Sequence, residues 1–188
     1  MSPTLIPVET PDQREAARAL LVEYLRWVGG IARSAYGSYP STSTRWRAPD
    51  TEDRSKFYPP TGRFYLVRHD ERDIGVGCLK RLAQGVGEIQ RMYIQPHARG
   101  IGAGRALVQR LLRDARELGY VKGATREPAR AKRLRTYSVS FGGLREVEPY
   151  GDNSMDAYQD PATLDAYRRS AIFMELSFLI WWAGGPHT

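Results

Sequence analysis

The chain opens with a short apolar stretch followed by an amphipathic segment. Leu5 to Val8 predicts a first β-strand. Thr10, Pro11 and Gln13 then form a helix-start pattern, with threonine at the N-cap, proline at the first helical position and glutamine three residues after the cap. The apolar residues that follow recur at helical spacing and predict one buried face: Ala16, Ala17, Leu20, Leu21, Tyr24 and Val28. The pair Gly29–Gly30 predicts the end of this helix.

The next segment, residues 30–62, shows no sustained periodicity, and we expect a loop with one short helix there. A loop of this length is uncommon in a compact domain, so we expect it to be either functional or partly mobile. Three apolar strand patterns follow, separated by short polar turns, and they predict an antiparallel meander. These patterns are Phe64 to Val67, Ile74 to Leu82 and Glu88 to Ile94.

Helical spacing returns after Arg99, and Gly119 is placed to end the helix. The apolar face of this helix consists of Ile101, Val108, Leu111, Leu112, Ala115 and Leu118. Beyond it we predict a strand at 120–125, a helix at 128–140 and closing strands at 144–147 and 172–178, with a polar insertion at 150–170. The pattern predicts a single α/β domain, residues 1–188, with a mixed six- to seven-stranded sheet flanked by helices.

Composition is that of an ordinary globular protein: 188 residues, of which 41% are apolar and 26% charged. Cys78 is the only cysteine, which excludes an internal disulfide and favours a cytoplasmic location. In mid-strand it is expected to be inert core, the alternative being a covalent acyl relay. No signal-peptide pattern or bilayer-spanning apolar run is present, so we expect no membrane partner. The three histidines, His69, His97 and His187, lack metal-ligand spacing, so no metal is expected.

The net charge of +7 is concentrated in one stretch. Between Arg105 and Arg135 ten basic residues stand against three acidic ones, an excess equal to that of the whole chain. Such a surface favours a polyanionic partner, either a phosphorylated cofactor or nucleic acid. Nucleic-acid binding predicts aromatic residues among the charges, and only Tyr120, with Tyr137 just beyond the stretch, is found there, so nucleic acid is the less favoured partner.

A glycine cluster precedes the second predicted helix: Arg99, Gly100, Ile101, Gly102, Ala103, Gly104 and Arg105. Glycines at a helix N-terminus let backbone N–H groups approach a phosphate closely. A dinucleotide fold is disfavoured because Leu107 stands in the place of its third glycine. A phosphate-loop NTPase is disfavoured because no Gly-Lys-Ser/Thr sequence is present.

Read as a whole, this segment resembles motif A of the GNAT superfamily of N-acetyltransferases. The family pattern is an apolar strand, a proline-containing turn and then [Q/R]-x-x-G-x-[G/A] at the start of an amphipathic helix. Here the strand and turn run from Glu88 to Pro96, followed by Arg99-x-x-Gly102-x-Gly104. The resemblance implies a mostly antiparallel sheet splayed between its fourth and fifth strands, with acetyl-CoA in the gap.

The resemblance also implies roles in binding acetyl-CoA. Residues 99–104 would bind the pyrophosphate, and basic residues such as Arg105 would meet the 3′-phosphoadenosine. Met92, Tyr93 and Ile94 would pair with the pantetheine arm. A backbone N–H near Ile94 would polarise the thioester oxygen.

Two catalytic roles follow from the same resemblance. Glu88 holds the offset of a glutamate base in the histone-acetylating branch, and its alternative role is a strand carboxylate paired with a neighbour. Tyr137 is the best match to the tyrosine that protonates the CoA thiolate, the alternative being a tyrosine packed against the sheet. The family follows this tyrosine, after three residues, with Gly-Phe. This chain has an extra glycine, Gly142–Gly143, and then Leu144.

For the acceptor we expect the primary amine of a small molecule, attracted by acidic residues of the 150–170 insertion. The alternatives are a protein or peptide amine and a catalytically weak domain that senses acyl-CoA. The apolar C-terminal run around Trp181–Trp182 is typical of a core strand or of a subunit contact, the latter implying a homodimer.

Overall fold

The computed structural model describes residues 2–36, 54–127, 145–148 and 172–178. Within these ranges there are three α-helices, α1 (Pro11–Tyr36), α2 (Arg54–Phe57) and α3 (Ala103–Glu117), and one short 3-10 helix, Pro96–Ala98. Seven strands accompany them: β1 (Thr4–Pro7), β2 (Arg63–His69), β3 (Arg72–Ala83), β4 (Val86–Ile94), β5 (Lys122–Glu127), β6 (Arg145–Val147) and β7 (Ile172–Ser177). None of the described helices is long and apolar enough to cross a membrane.

The strands form one sheet in the order β1-β2-β3-β4-β5-β7-β6. All neighbouring pairs are antiparallel except β4 and β5, which are parallel. The predicted meander is confirmed, and its first turn has Asp70 and Glu71 at φ 46° and 59°, the left-handed values that tight hairpins use. The mixed sheet predicted from the sequence is therefore present.

The parallel pair is short. The pairing of β4 with β5 runs from Val86, opposite Lys122, to Ile89, opposite Thr125. Beyond Ile89, β4 continues to Ile94 along β3 alone, and β5 continues to Glu127 along β7. The two halves of the sheet are thus joined over four residue pairs and separate above them, as the resemblance implied.

Each face of the sheet has its own core. On one face, called here the α3 face, Leu107 and Leu111 of α3 pack with Tyr65, Leu79 and Ile89 of the strands. The other face, called the α1 face, is covered by α1 and α2. Its core consists of Val8, Ala17, Leu20, Leu21, Phe57, Tyr58, Phe64, Leu66, Val76, Cys78 and Tyr93.

The start of α1 is as predicted, but its end is not. The Gln13 N–H donates to Thr10 Oγ1 at 3.2 Å, and the Thr10 N–H donates to Gln13 Oε1 at 2.8 Å, a complete capping box. The helix continues through Gly29–Gly30 to Tyr36, so the predicted end at the glycines is wrong. A glycine costs a helix only about 1 kcal/mol relative to alanine, less than packing on the sheet can return.

The start of β5 also differs from the prediction. Tyr120 was expected to begin the strand, but β5 begins at Lys122. The Tyr120 N–H donates instead to Ala115 O, and its buried ring places the hydroxyl 2.6 Å from Thr61 O. Tyr120 therefore belongs to the exit of α3, and Gly119, at φ 77°, ends that helix as predicted. The helix predicted at 128–140 and the insertion at 150–170 lie outside the described residues.

Candidate active site

The fourth strand contains a β-bulge just beyond the point where it leaves β5. Cys78 on β3 pairs with Gln90 on β4. Two residues earlier on β3, Val76 pairs with Tyr93, so β4 has one extra residue at this point. Arg91 within the bulge takes φ 55°, which is uncommon for a non-glycine residue, and strained backbone of this kind within a strand often lies beside a functional site.

The loop after β4 prepares the N-terminus of α3 for an anion. Gly100 and Gly102 have φ of 95° and 87°, a left-handed backbone that strains other residues. Gly102 is the N-cap of α3 and makes no side-chain cap hydrogen bond. The Ala106 N–H donates to Gly102 O, so the N–H groups of the preceding helical residues remain directed outward at the positive end of the helix dipole. This arrangement suits a phosphate group.

Arg99 is held in place between the loop and α1. Its Nε donates to Ile94 O at 3.0 Å, and its guanidinium carbon lies 5.4 Å from the ring centroid of Trp27. Because Ile94 O is occupied in this way, the start of the phosphate loop is tied back to the end of β4. The charge of Arg99 is therefore fixed beside the uncapped helix end.

The three residues predicted to meet pantetheine alternate across the sheet. Met92 and Ile94 are partly buried against the α3-face core, whereas Tyr93 is buried in the α1-face core. All three lie in the part of β4 that has separated from β5. The structure brings them next to the loop 99–104, and Arg105 is exposed on the first turn of α3.

Glu88 lies on the central strand of the sheet, in the part of β4 that pairs with β5. It is opposite Lys80 on β3 and Ala124 on β5, and it is fully buried on the α1 face. Lys80 Nζ is 3.4 Å from its Oε2, and Gln90 Nε2 donates a hydrogen bond to the same oxygen. These contacts are those expected of a strand carboxylate paired with a neighbour. Glu88 also lies just before the bulge, next to the separated part of β4, and its role as general base stays a prediction.

Of the other residues given candidate roles from the sequence, the structure describes Cys78 and part of the basic stretch. Tyr137 lies outside the described residues. Cys78 is fully buried, and burial raises the pKa of its thiol to about 12, which opposes a role as acyl relay. Part of the basic stretch is structural, since Arg110 bonds Asp114 at 2.9 Å and Arg116 lies over the Phe178 ring at 4.9 Å.

Two features of this region were not predicted from the sequence. No local pattern in the sequence marks the bulge at Arg91, although its position in motif A offers an indirect signal. Glu23 on α1 was also missed. Its spacing of four residues from Trp27 would have placed both on one helix face. Among the described residues, no group of three or more His, Cys, Asp or Glu side chains is arranged to hold a metal ion.

Comparison with known proteins agrees with this geometry. The sequence model of the Acetyltransferase (GNAT) family matches residues 29–142, more than half of the chain. The chain is 31% identical over 155 residues to the IAA acetyltransferase of Azospirillum brasilense, covering 81% of this chain and 93% of that protein.

Solved structures share the fold at lower identity. The PaiA N-acetyltransferase of Thermoplasma acidophilum, in complex with coenzyme A, superposes with a TM-score of 0.62 at 14% identity, covering 95% of this chain and 100% of that one. A GNAT family acetyltransferase of Elizabethkingia anophelis with acetyl-CoA bound gives 0.58 at 17%, covering 94% and 99%. With the family match and the splayed sheet together, the chain belongs to the GNAT acetyltransferase family and is an acyltransferase.

Proposed function

We propose that this acyltransferase takes an acetyl group from acetyl-CoA and transfers it to the primary amine of a small molecule by direct attack in a ternary complex. One observation carries the proposal: the separated part of β4, beyond Ile89, leads directly into the uncapped N-terminus of α3. An extended thioester arm fits along a strand edge that has no neighbouring strand, and a pyrophosphate fits at a helix N-terminus. Along the chain the separated strand comes first and the helix N-terminus second, which matches the order of the thioester arm and the pyrophosphate in CoA.

The residues present fit acetyl-CoA as the co-substrate. The backbone of 99–104 would bind the pyrophosphate, aided by the fixed charge of Arg99. Met92, Tyr93 and Ile94 would align the pantetheine arm, and Arg105 would approach the 3′-phosphate. Relatives of the same fold that hold CoA or acetyl-CoA support this assignment. When bound, acetyl-CoA supplies a thioester whose carbonyl carbon accepts the amine nitrogen.

The transfer requires two proton movements. As the new C–N bond forms and the C–S bond breaks, the amine loses a proton and the departing thiolate gains one. In our proposal Glu88 receives the proton of the ammonium and Tyr137 donates one to the thiolate. The carboxylate of Glu88 is fully buried. We propose that the proton reaches it from the cleft, either directly or through one water molecule. Lys80 compensates the charge of Glu88 in its ionised form.

A panel assay tests the function. Thiol release from acetyl-CoA is measured with primary amines, with a lysine-containing peptide and without acceptor, and CoA affinity is measured by calorimetry. Turnover with small amines supports the proposal. CoA binding without any turnover would indicate the acyl-CoA sensor, and turnover of the peptide alone would indicate a protein acetyltransferase. A DNA titration alongside tests the remaining role of the basic stretch.

A further inference from the structure

A partly buried carboxylate lies at the end of β4, apart from the residues given roles above. Glu23 of α1 accepts hydrogen bonds from Gln95 Nε2, at 3.0 Å to Oε1 and 2.8 Å to Oε2. The Tyr93 hydroxyl lies 3.5 Å from Oε2. Glu23 thus reaches from α1 to the last residues of β4, at the mouth of the gap where the thioester arm is proposed to lie.

The partners of Glu23 are neutral. An amide and a phenol satisfy hydrogen bonds, but neither compensates a negative charge. Within the described part of the chain, no Lys, Arg or His side chain forms an ion pair with Glu23, whereas the buried Glu88 has Lys80. A partly buried carboxylate without a cation is an attractive site for a cationic ligand.

A cluster of aromatic rings reaches this carboxylate through Tyr93, whose hydroxyl lies 3.5 Å from it and whose ring packs with Tyr24 and Trp27. The rings of Tyr24, Trp27 and Tyr93 have mutual centroid distances of 6.1 to 6.4 Å. The faces of such rings attract cations, and tryptophan does so most strongly. In this structure Trp27 already has the guanidinium of Arg99 at 5.4 Å from its centroid. The same group of side chains therefore offers both kinds of contact that an ammonium group favours.

Charges of opposite sign act on the same point of the site. Burial raises the pKa of the Tyr93 hydroxyl, the Glu23 carboxylate raises it further, and Arg99 lowers it. Arg99 stands on the side of the phosphate loop and Glu23 on the side of α1. Once a pyrophosphate compensates Arg99, the field that remains at Tyr93 is that of Glu23, which favours a cation.

We propose that Glu23, together with the rings of Trp27 and Tyr93, holds the ammonium form of the acceptor. The acceptors are then alkyl amines, which like lysine are cationic at neutral pH, and not arylamines, which are neutral there. Glu23 is a specificity-determining residue: it selects and positions the cation, and the proton leaves afterwards as described for Glu88. This inference rests on the proposed function.

Steady-state kinetics with two classes of amine test the inference. The alkyl amines are 2-phenylethylamine, 1,4-diaminobutane and histamine, and the arylamines are aniline and 4-aminophenol. In Glu23→Gln the hydrogen bond from Gln95 can persist but the charge is lost. We expect KM for the alkyl amines to rise at least tenfold, about 1.4 kcal/mol, with kcat within a fewfold. Arylamines should be poor acceptors for the wild-type enzyme, and Glu23→Gln should not lower their residual turnover further. Glu23→Asp should retain part of the preference.

Glu15→Gln is the matched control, because it removes one charge from an exposed ion pair on the same helix and should change nothing. A second measurement needs no variant. Tetramethylammonium should compete with the alkyl amine in the wild-type enzyme, and the neutral isostere tert-butyl alcohol should not. This experiment still decides the question if Glu23→Gln fails to fold.

The outcomes distinguish the role of Glu23 from the proposed function of the protein. Equal losses for both amine classes, unchanged alkyl-amine KM, or no competition by tetramethylammonium would overturn the role of Glu23. Wild-type turnover of arylamines alone would also overturn it and would leave the proposed function standing. No turnover of any amine, despite CoA binding, would overturn the proposed function itself.

Discussion

Two glutamates on the α1 side of β4 lie in opposite environments. Glu88 is fully buried and has the ammonium of Lys80 at 3.4 Å, whereas Glu23 is partly buried and, among the described residues, contacts the neutral donors Gln95 and Tyr93. A buried charge with its partner is suited to remain in the protein, and a carboxylate without one is suited to receive a charge from outside. This difference is consistent with the roles proposed above, proton transfer for Glu88 and recognition for Glu23.

Replacement of Glu88 tests its role as base. Glu88→Gln should lower kcat/KM by roughly 10²- to 10⁴-fold near neutral pH, the range typical of a lost general base. The deficit should shrink as pH rises, because more of the amine is then already neutral. Rate profiles between pH 6 and about 10 measure this. Asp73→Asn, a partly buried strand carboxylate paired with Arg68, is the control. A loss that does not depend on pH would make Glu88 a structural residue.

Tyr137 is tested by removal of a single oxygen. Tyr137→Phe keeps the ring, so packing should barely change. If the hydroxyl protonates the thiolate, kcat should fall about tenfold to a hundredfold, less than for the base because a thiolate leaves readily. Acetyl-CoA affinity should stay within a fewfold of wild type. Full activity would assign the proton to another donor, and a lower melting temperature with normal turnover of the folded fraction would indicate a structural hydrogen bond.

At the scale of single elements, α3 offers an internal comparison between its two ends. Gly102 precedes the helix and Gly119 follows it, both with left-handed φ and open space where a side chain would be placed. The same substitution therefore imposes similar backbone strain at both positions. An aspartate at Gly102 adds a negative charge where the pyrophosphate is proposed to bind, whereas an aspartate at Gly119 does not.

Gly102→Asp should lower CoA affinity at least tenfold in calorimetry, about 1.4 kcal/mol. Gly119→Asp should lose similar stability but bind CoA normally. Equal CoA affinities in the two folded variants would refute the phosphate-loop assignment.

In its C-terminal half, α3 contacts the sheet through the polar side chains of Arg110 and Asp114, which lie beside Tyr65 of β2. Asp114, only 1% exposed, accepts a hydrogen bond from Arg110 Nε at 2.9 Å, and Arg110 lies over the Tyr65 ring at 5.0 Å. Burial and the adjacent Asp114 raise the pKa of Tyr65 to about 12.

Asp114→Ala should therefore lower the free energy of unfolding by about 1–3 kcal/mol, since it leaves polar partners without their acceptor. Urea denaturation measures this loss, and Glu15→Gln, in an exposed pair, should change stability by less than about 1 kcal/mol. CoA affinity should be unaffected, and a parallel loss of affinity would contradict a purely structural role.

At the scale of the whole molecule, hydrophobic periodicity predicted the regular helices and strands but not the irregular positions between or within them. The meander, the capped start of α1 and the amphipathic α3 all follow from regular spacing, and all are present. The end of α1 was wrong because the intrinsic cost of Gly29–Gly30 is local, whereas helix packing is tertiary. The bulge at Arg91 and the contact of Glu23 with Gln95 depend on neighbours distant in sequence. The phosphate loop could be predicted because its chemistry lies in consecutive residues.

Hydrogen exchange tests the proposed position of the co-substrate across the whole sheet. CoA should slow amide exchange in β4 at 90–94 and in the first turn of α3, since these groups would gain partners. Exchange in β1 and β2, on the far side of the sheet, should be unchanged. Mass spectrometry with and without CoA measures both. Protection confined to the helix N-terminus would mean that the arm does not lie along β4.

The switch from antiparallel to parallel pairing at β5 also bears on how the chain folds. Strands β2, β3 and β4 meet through short turns, so their contacts close small loops and form quickly. The pairing of β4 with β5 must wait for the crossover through α3, and that of β5 with β7 joins strands about 50 residues apart. We therefore expect the transition state for folding to contain the meander and to lack the parallel pair. The cleft that is proposed to bind acetyl-CoA would then be completed only in the last stage of folding.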